Sequence, residues 1–248
     1  MIAVTLAALV LAQANPFPNT EKKRESPRNM VAEIRLGSYY PWVDRTLDCQ
    51  PGQCPYARVL KGAMLLVELE VERQLFQAFG SAAIGFSFGY AEKYGHAVDG
   101  TNMTTSEATS LRILPMKVLG VYRWDWAAQK YNVPLVPYVK LGFQVVHWWT
   151  TSASGTEIAR NLSGAGWSMG ILGAGGLAFL LDVLDQRLAR DFDNGIGVNH
   201  TYLFAEYNIA EVNNFGIKQR DDMGMPTDRL TTLDLSARYF MFGLAFEY

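Results

Sequence analysis

In Leu65-Leu66-Val67-Glu68-Leu69-Glu70-Val71-Glu72, the odd places hold Leu65, Val67, Leu69 and Val71, while Glu68, Glu70 and Glu72 hold even ones. A period of two sends the two sets to opposite faces of a β-strand; a helix would spread both around its circumference. The next segment repeats the pattern, with Ala82, Ile84, Phe86, Phe88 and Tyr90 against Ala83, Gly85, Ser87, Gly89 and Ala91. Upstream, Ala32, Ile34, Leu36 and Tyr40 oppose Glu33, Arg35 and Gly37. Downstream, Leu135, Val139, Leu141, Phe143 and Val145 oppose Tyr138, Lys140, Gly142 and Gln144, and Thr201, Leu203, Ala205, Tyr207 and Ile209 oppose Tyr202, Phe204, Glu206 and Asn208.

Two segments need argument. From Ser110 to Trp126 the phase shifts near Pro115, where Leu111 and Ile113 give way to Met116, Val118, Tyr122 and Trp124; a bulge at the proline is expected. Asn161 to Leu181 carries no charge and could be read as a membrane helix with Gly166 and Gly170 on a packing face. Six Gly in these 21 residues penalise a helix, and Trp167, Met169 and Ile171 alternate with Ser168 and Gly170, so a strand is expected. The last segment sets Phe240, Phe242, Leu244, Phe246 and Tyr248 against Met241, Gly243, Ala245 and Glu247. Its terminal aromatic, preceded by apolar residues at every second place, resembles the C-terminal assembly signal of bacterial outer-membrane barrels. Upstream, Asp234, Ser236 and Arg238 share the parity of the aromatics, so they either stand beyond the apolar band or follow a bulge near Tyr239.

Eight such segments fit the composition. The 248 residues are 49% hydrophobic and 19% charged, with 22 basic against 24 acidic side chains, which excludes global disorder. That balance supplies no basic field for nucleic acid. A mean hydropathy of +0.01 is too low for a polytopic helical membrane protein. The 22 Gly, 13 Phe, 12 Tyr and 6 Trp suit strands with one apolar face.

Met1 to Ala14 is an apolar run ending in the small-x-small pattern Ala12-Gln13-Ala14, and reads as a secretory signal peptide. Residues 15–29, with Glu21-Lys22-Lys23-Arg24-Glu25, read as a polar periplasmic tether, and 30–248 as the folded domain. Cys49 and Cys54, in a Pro- and Gly-containing loop of an exported chain, favour a small disulfide clip over a metal site, since no His lies nearby.

Long connections near 42–61, 92–108, 150–165 and 211–230 alternate with shorter ones near 73–80, 127–133 and 182–197. That asymmetry, with aromatics Trp124, Trp126, Trp148, Trp149 and Trp167 near strand ends, is the plan of an eight-stranded, antiparallel, up-and-down transmembrane β-barrel with long loops outside. Leu184, Leu188 and Phe192 at helical spacing predict a short helix in the periplasmic turn from Asp182 to Asp193. In hydrocarbon an open edge leaves unpaired backbone groups, so the sheet must close. Eight strands leave a lumen just wide enough for side chains. The parity places Glu33, Arg35, Glu68, Glu70, Lys117, Arg123, Asp125, Lys140, Gln144 and Glu206 there, as a paired charge network and not an ion-conducting pore.

Four blocks carry a closer resemblance: Tyr39-Tyr40-Pro41-Trp42-Val43-Asp44; Leu114-Pro115 with Tyr122-Arg123-Trp124-Asp125; Pro137-Tyr138-Val139-Lys140-x-Gly142; and Gly197-Val198-Asn199-His200-Thr201-Tyr202 with Glu206-Tyr207. The chain resembles an uncharacterised family of small outer-membrane β-barrel proteins of myxobacteria and related delta-proteobacteria. The resemblance implies an outer-membrane location and a barrel fold, and brings no catalytic residues with it.

The residues themselves show no phosphate loop, metal cluster or nucleophile elbow. His96, His147 and His200 are the candidate bases; His200 and Glu206 share a strand face but stand about 20 Å apart, which leaves no direct dyad. Glu68 and Glu70, about 7 Å apart on one face, could serve as an acid/base pair, though a salt-bridge ladder is the commoner use of such spacing. The expected role is structural or surface-interacting, without enzyme activity, cofactor, metal or nucleic acid. Its expected partners are outer-membrane lipid, the barrel assembly machinery and an extracellular ligand at the long loops. The alternatives are a membrane-embedded hydrolase or acyltransferase acting on lipid, a conduit for a small apolar molecule, or a soluble lipocalin-like carrier, whose outward face would be polar.

Overall fold

Strict alternation lets every strand bury one face, and the computed structural model shows which face that is. It describes residues 29–45, 54, 56–98, 104–131, 133–152, 158–159, 162–183, 197–220 and 225–248. The expected signal peptide, nearly all of the tether, Cys49 and most of the expected 182–193 helix lie outside the described residues; of that last segment only the single 3-10 turn Leu181–Val183 is described.

Eight strands make one closed sheet: β1 (Met30–Tyr39), β2 (Met64–Gln77), β3 (Ser81–Val98), β4 (Thr104–Arg123), β5 (Leu135–Ser152), β6 (Ala165–Leu180), β7 (His200–Val212) and β8 (Ala237–Glu247). Each pairs antiparallel with its sequence neighbours, and β8 returns to β1 with Val31 opposite Glu247 through Gly37 opposite Met241. Closure removes both sheet edges. Small two-stranded ladders, Ile158–Ala159 with Leu162–Ser163 and Lys218–Arg220 with Pro226–Leu230, decorate the third and fourth long loops.

The alternation read from the sequence is the alternation of burial. In β2, Leu65, Val67, Leu69 and Val71 are exposed by 39–66% while Glu68, Glu70 and Glu72 are at most 1% exposed. The same parity holds around the ring, so the apolar side chains face out and the ionised ones face in.

β4 departs from expectation. Its ladder to β5 runs from Thr109–Ser152 to Arg123–Tyr138 without a register shift, so there is no bulge at Pro115. Leu111, Ile113, Lys117 and Leu119 all face the lumen. The apparent phase change arises because the upper lumen is apolar: inward Leu111 and Ile113 look like outward residues to a hydrophobicity pattern. Proline lacks an N–H, and the β3 ladder skips Gly89 and Tyr90 across from it. β8 likewise runs without a shift from Ala237 to Glu247; Arg238 is exposed, and Asp234 and Ser236 are buried before the strand begins. β3 and β4 also extend further than expected, leaving only 99–103 between them where a loop over 92–108 is expected.

In the connection after β4 a one-and-a-half-turn helix, α1 (Trp126–Tyr131), forms where a plain turn is expected. No described helix is long and apolar enough to cross a membrane.

Two apolar clusters close the lumen. At the end carrying the chain termini lie Val31, Val136, Tyr138, Ala178, Phe204 and Ala245. Toward the long-loop end Tyr39, Met64, Leu66, Leu111, Ile113, Val146, Leu235, Tyr239 and Met241 belong to the second. On β1, Glu33 and Arg35 lie between Val31 of the first cluster and Tyr39 of the second; on β4 the second cluster continues past Lys117 through Leu119 and Val121.

Candidate functional site

The inward parity of β1, β2, β4, β5 and β7 brings the ionised side chains to one level of the lumen. Arg35 of β1 is 1% exposed and its guanidinium donates to Glu70 and Glu206, with Glu68 at 3.7 Å and Glu33 at 3.8 Å. Lys140 of β5 reaches Glu33 at 2.7 Å, Glu70 at 2.6 Å, Glu72 at 3.2 Å and Glu206 at 3.8 Å. Arg123 of β4, nearer the termini end, binds Glu33 at 2.8 Å and Glu72 at 2.5 Å. Lys117 of β4 pairs with Glu68 at 2.5 Å and donates to the Tyr239 hydroxyl at 3.3 Å. Asn208 donates to Glu206 at 2.8 Å.

Sharing is what makes this burial tolerable. Moving a single unpaired ion into a low-dielectric interior costs several kcal/mol even after relaxation, and only multiple close partners offset that. Gly243, opposite Arg35, leaves room for the neighbouring strand and the Phe204 ring: a Cβ there would stand 2.1 Å from the Ile34 carbonyl and 2.7 Å from that ring.

The network also answers the metal question. Carboxylate oxygens of Glu33, Glu70 and Glu72 converge within 4.8 Å, as ligands of a divalent ion would. Lys140 Nζ occupies that focus, within 3.2 Å of all three, and supplies the positive charge itself.

Gln144 is buried in the lumen on β5, and Asp125 lines the wall at the termini end, with Glu33, Arg123 and Tyr138, of a cavity of about 20 Å³, room for about one water. Glu68 and Glu70 are each clamped by cations. Sequence parity had placed Glu72 on the same face without marking it as a site residue; its ties to Arg123 and Lys140 make it one. Tyr239 joins through Lys117 of another strand, which no local pattern reveals, whereas Asn208 joins through Glu206 two places before it on β7.

Above the charges, Tyr39 and Tyr239 meet edge to face at 5.2 Å, and the Tyr39 hydroxyl donates to the Leu235 carbonyl. Residues just before β8 fold inward over this pair: Leu235 N–H donates to Val212 O at 2.9 Å, and Ser236 Oγ accepts from Val212 N–H at 2.9 Å. The first long loop joins them through Trp42 N–H to Ser236 O at 2.9 Å. Asp44 accepts the N–H groups of Tyr56 and Ala57 at 2.8 and 3.0 Å, and burial pushes the Tyr56 phenol up from its usual range.

At the termini end His200 Nδ1 lies 2.5 Å from Asp182, which also accepts the Thr201 N–H at 3.2 Å. His147 packs against the rings of Trp149 and Trp167. Among the described residues neither imidazole meets a serine or threonine hydroxyl. Trp124 and Trp167 face outward near strand ends, but Trp148 turns inward and reaches Thr232 Oγ1 at 3.4 Å. On the last strand Phe240, Phe242, Leu244 and Tyr248 are exposed on the outside and Phe246 is half-buried. Cys54 lies on the first long loop; its expected partner Cys49 is outside the described residues.

No family model and no curated protein matches the sequence. Among solved structures the chain is similar to the outer membrane protein OprG from Pseudomonas aeruginosa, with 13% identity over 89% of this chain and 96% of that one and a TM-score of 0.48. Neisserial surface protein A is matched at 8% identity over 90% and 98% of the two chains, TM-score 0.43. Ail, the attachment invasion locus protein of Yersinia pestis, is matched at 10% identity over 89% and 97%, TM-score 0.43.

Proposed function

We propose that this chain is an integral β-barrel of the bacterial outer membrane with a structural or surface-interaction role, a side-chain-filled lumen and no open pore. The observation that carries this reading is inverted polarity. Leucine, valine and phenylalanine cover the outside of a closed sheet, and five buried glutamates with four cations fill its inside. Water favours the opposite arrangement, and the apolar exterior speaks against a soluble lipocalin-like carrier; hydrocarbon favours this one. Exposed aromatics at both ends, Phe79, Trp124 and Tyr248 at one and Tyr40, Tyr94 and Trp167 at the other, suit the two membrane interfaces.

The reading includes export by the 1–14 signal peptide, a periplasmic tether over 15–29, extracellular long loops, and a Cys49–Cys54 clip in the first of them. The assembly machinery would read Phe240, Phe242, Leu244, Phe246 and Tyr248. Kinship with the myxobacterial and delta-proteobacterial barrels rests on the four sequence blocks. A lipid-modifying activity would need a nucleophile beside His200 and Asp182, and an apolar conduit would need a passage through the two apolar clusters; neither has support among the described residues.

Heat-modifiable gel migration of the detergent-extracted protein tests the reading. Folded barrel should migrate faster before boiling than after, and deletion of Tyr248 should lower its assembly in cells. A protein that stays soluble without detergent would sink it. Lipid A and phospholipid analysis of an expressing strain should show no new species.

A further inference from the structure

Six cations of the described chain are neutralised or tethered. Lys117, Lys140, Arg35 and Arg123 are ion-paired in the lumen, Lys93 donates to the Ala63 carbonyl at 3.0 Å, and Arg112 pairs with Glu92. Arg45 and Arg238 are set apart from these six by sharing one aromatic ring. Both side chains are exposed, neither has an ion pair among the described residues, and both guanidinium groups lie against one indole, 3.6 and 5.7 Å from the Trp42 ring centroid. Trp42 is fixed in turn by its N–H to Ser236 O and by its carbonyl, which accepts from Arg45 N–H at 2.9 Å. Two like charges are thus gathered on one indole whose main chain is tied to the segment before β8.

Their level on the barrel gives the arrangement a purpose. Arg238 is the first outward residue beyond the apolar run Phe240, Phe242 and Leu244 of β8, at the long-loop end. It stands where a hydrocarbon layer would give way to headgroups, and β1 and β8 are the two shortest strands of the barrel. An indole at that level with guanidinium groups around it suits a headgroup carrying phosphate, since guanidinium forks bind phosphate bidentately and aromatics favour the interface.

We infer that Arg45, Trp42 and Arg238 form a binding site on the outer wall of the barrel for the phosphate of a membrane glycolipid. This rests on the outer-membrane reading above. The two cations gain a counter-charge that no described residue supplies as an ion pair, and the lipid chains lie along the apolar face of β8 and β1.

The test uses the full chain folded in dodecyl maltoside micelles, with folding confirmed by heat-modifiable migration, and counts bound lipid by native mass spectrometry. Bisphosphorylated lipid A should bind wild type, and Arg45→Gln/Arg238→Gln should need at least tenfold more lipid for the same occupancy. Lys130→Gln, at the opposite end, should bind as wild type, and dephosphorylated lipid A should bind wild type as weakly as the double variant binds lipid A. Equal occupancy for wild type and the double variant, or for the two lipids, overturns the site while leaving the barrel reading intact. Inorganic phosphate alone binding with the same dependence on the two arginines makes the ligand a free anion and overturns the glycolipid assignment. A chain that needs no detergent overturns both.

Discussion

Lys117 and Glu68 show how the lumen works at the level of one pair. Each is fully buried, they lie 2.5 Å apart, and the Tyr239 hydroxyl accepts a further hydrogen bond from Lys117 Nζ at 3.3 Å. Removing the cation strands a buried carboxylate, whereas removing both partners leaves an apolar wall beside Leu66 and Leu119. Lys117→Met should therefore destabilise the barrel by about 3–5 kcal/mol, and Lys117→Met/Glu68→Leu should restore most of it. Urea titration in vesicles, read by heat-modifiable migration, checks the pair; a double variant no better than the single one contradicts the argument. Parity alone made Glu68, Glu70, Arg35 and Lys140 legible as lumenal residues. Their partners were not legible, because contacts such as Arg35 with Glu206 join residues 171 apart through the closure of the sheet.

Among elements, the strand was the legible unit and its limits were not. Alternation marks β2 because its two faces differ in polarity. It misled at β4, where Leu111 and Ile113 point into an apolar layer of the lumen and imitate a lipid-facing pair. It could not find α1, which is six residues long, nor turn Trp148 inward, since an aromatic near a strand end satisfies either face. Two substitutions test element geometry. Gly243→Ala drives a methyl into the Ile34 carbonyl of the neighbouring strand and should cost about 1–3 kcal/mol in the same titration. Leu69→Arg, on the outward face midway along β2, should cost about 2–4 kcal/mol, and Leu75→Arg near the turn about 0–1 kcal/mol. Equal costs at the two positions would mean that no depth-dependent apolar layer surrounds the barrel.

At the scale of the whole molecule, a ring of shared ion pairs held between two apolar clusters makes a plugged cylinder. Reconstituted in planar bilayers it should give no stepwise conductance, and single-channel recording that finds steady open levels would contradict the filled lumen. The inversion of polarity is the central claim, and β2 reports it most directly. With Cys49 and Cys54 replaced by Ser, single cysteines from position 65 to 72 carry nitroxide labels in vesicles, and their collision rates with oxygen and with a water-soluble nickel chelate are measured. Positions 65, 67, 69 and 71 should be reached by oxygen and shielded from nickel, with positions 66, 68, 70 and 72 shielded from both. Nickel reaching the odd positions as freely as oxygen would place water on the outer face and contradict the account.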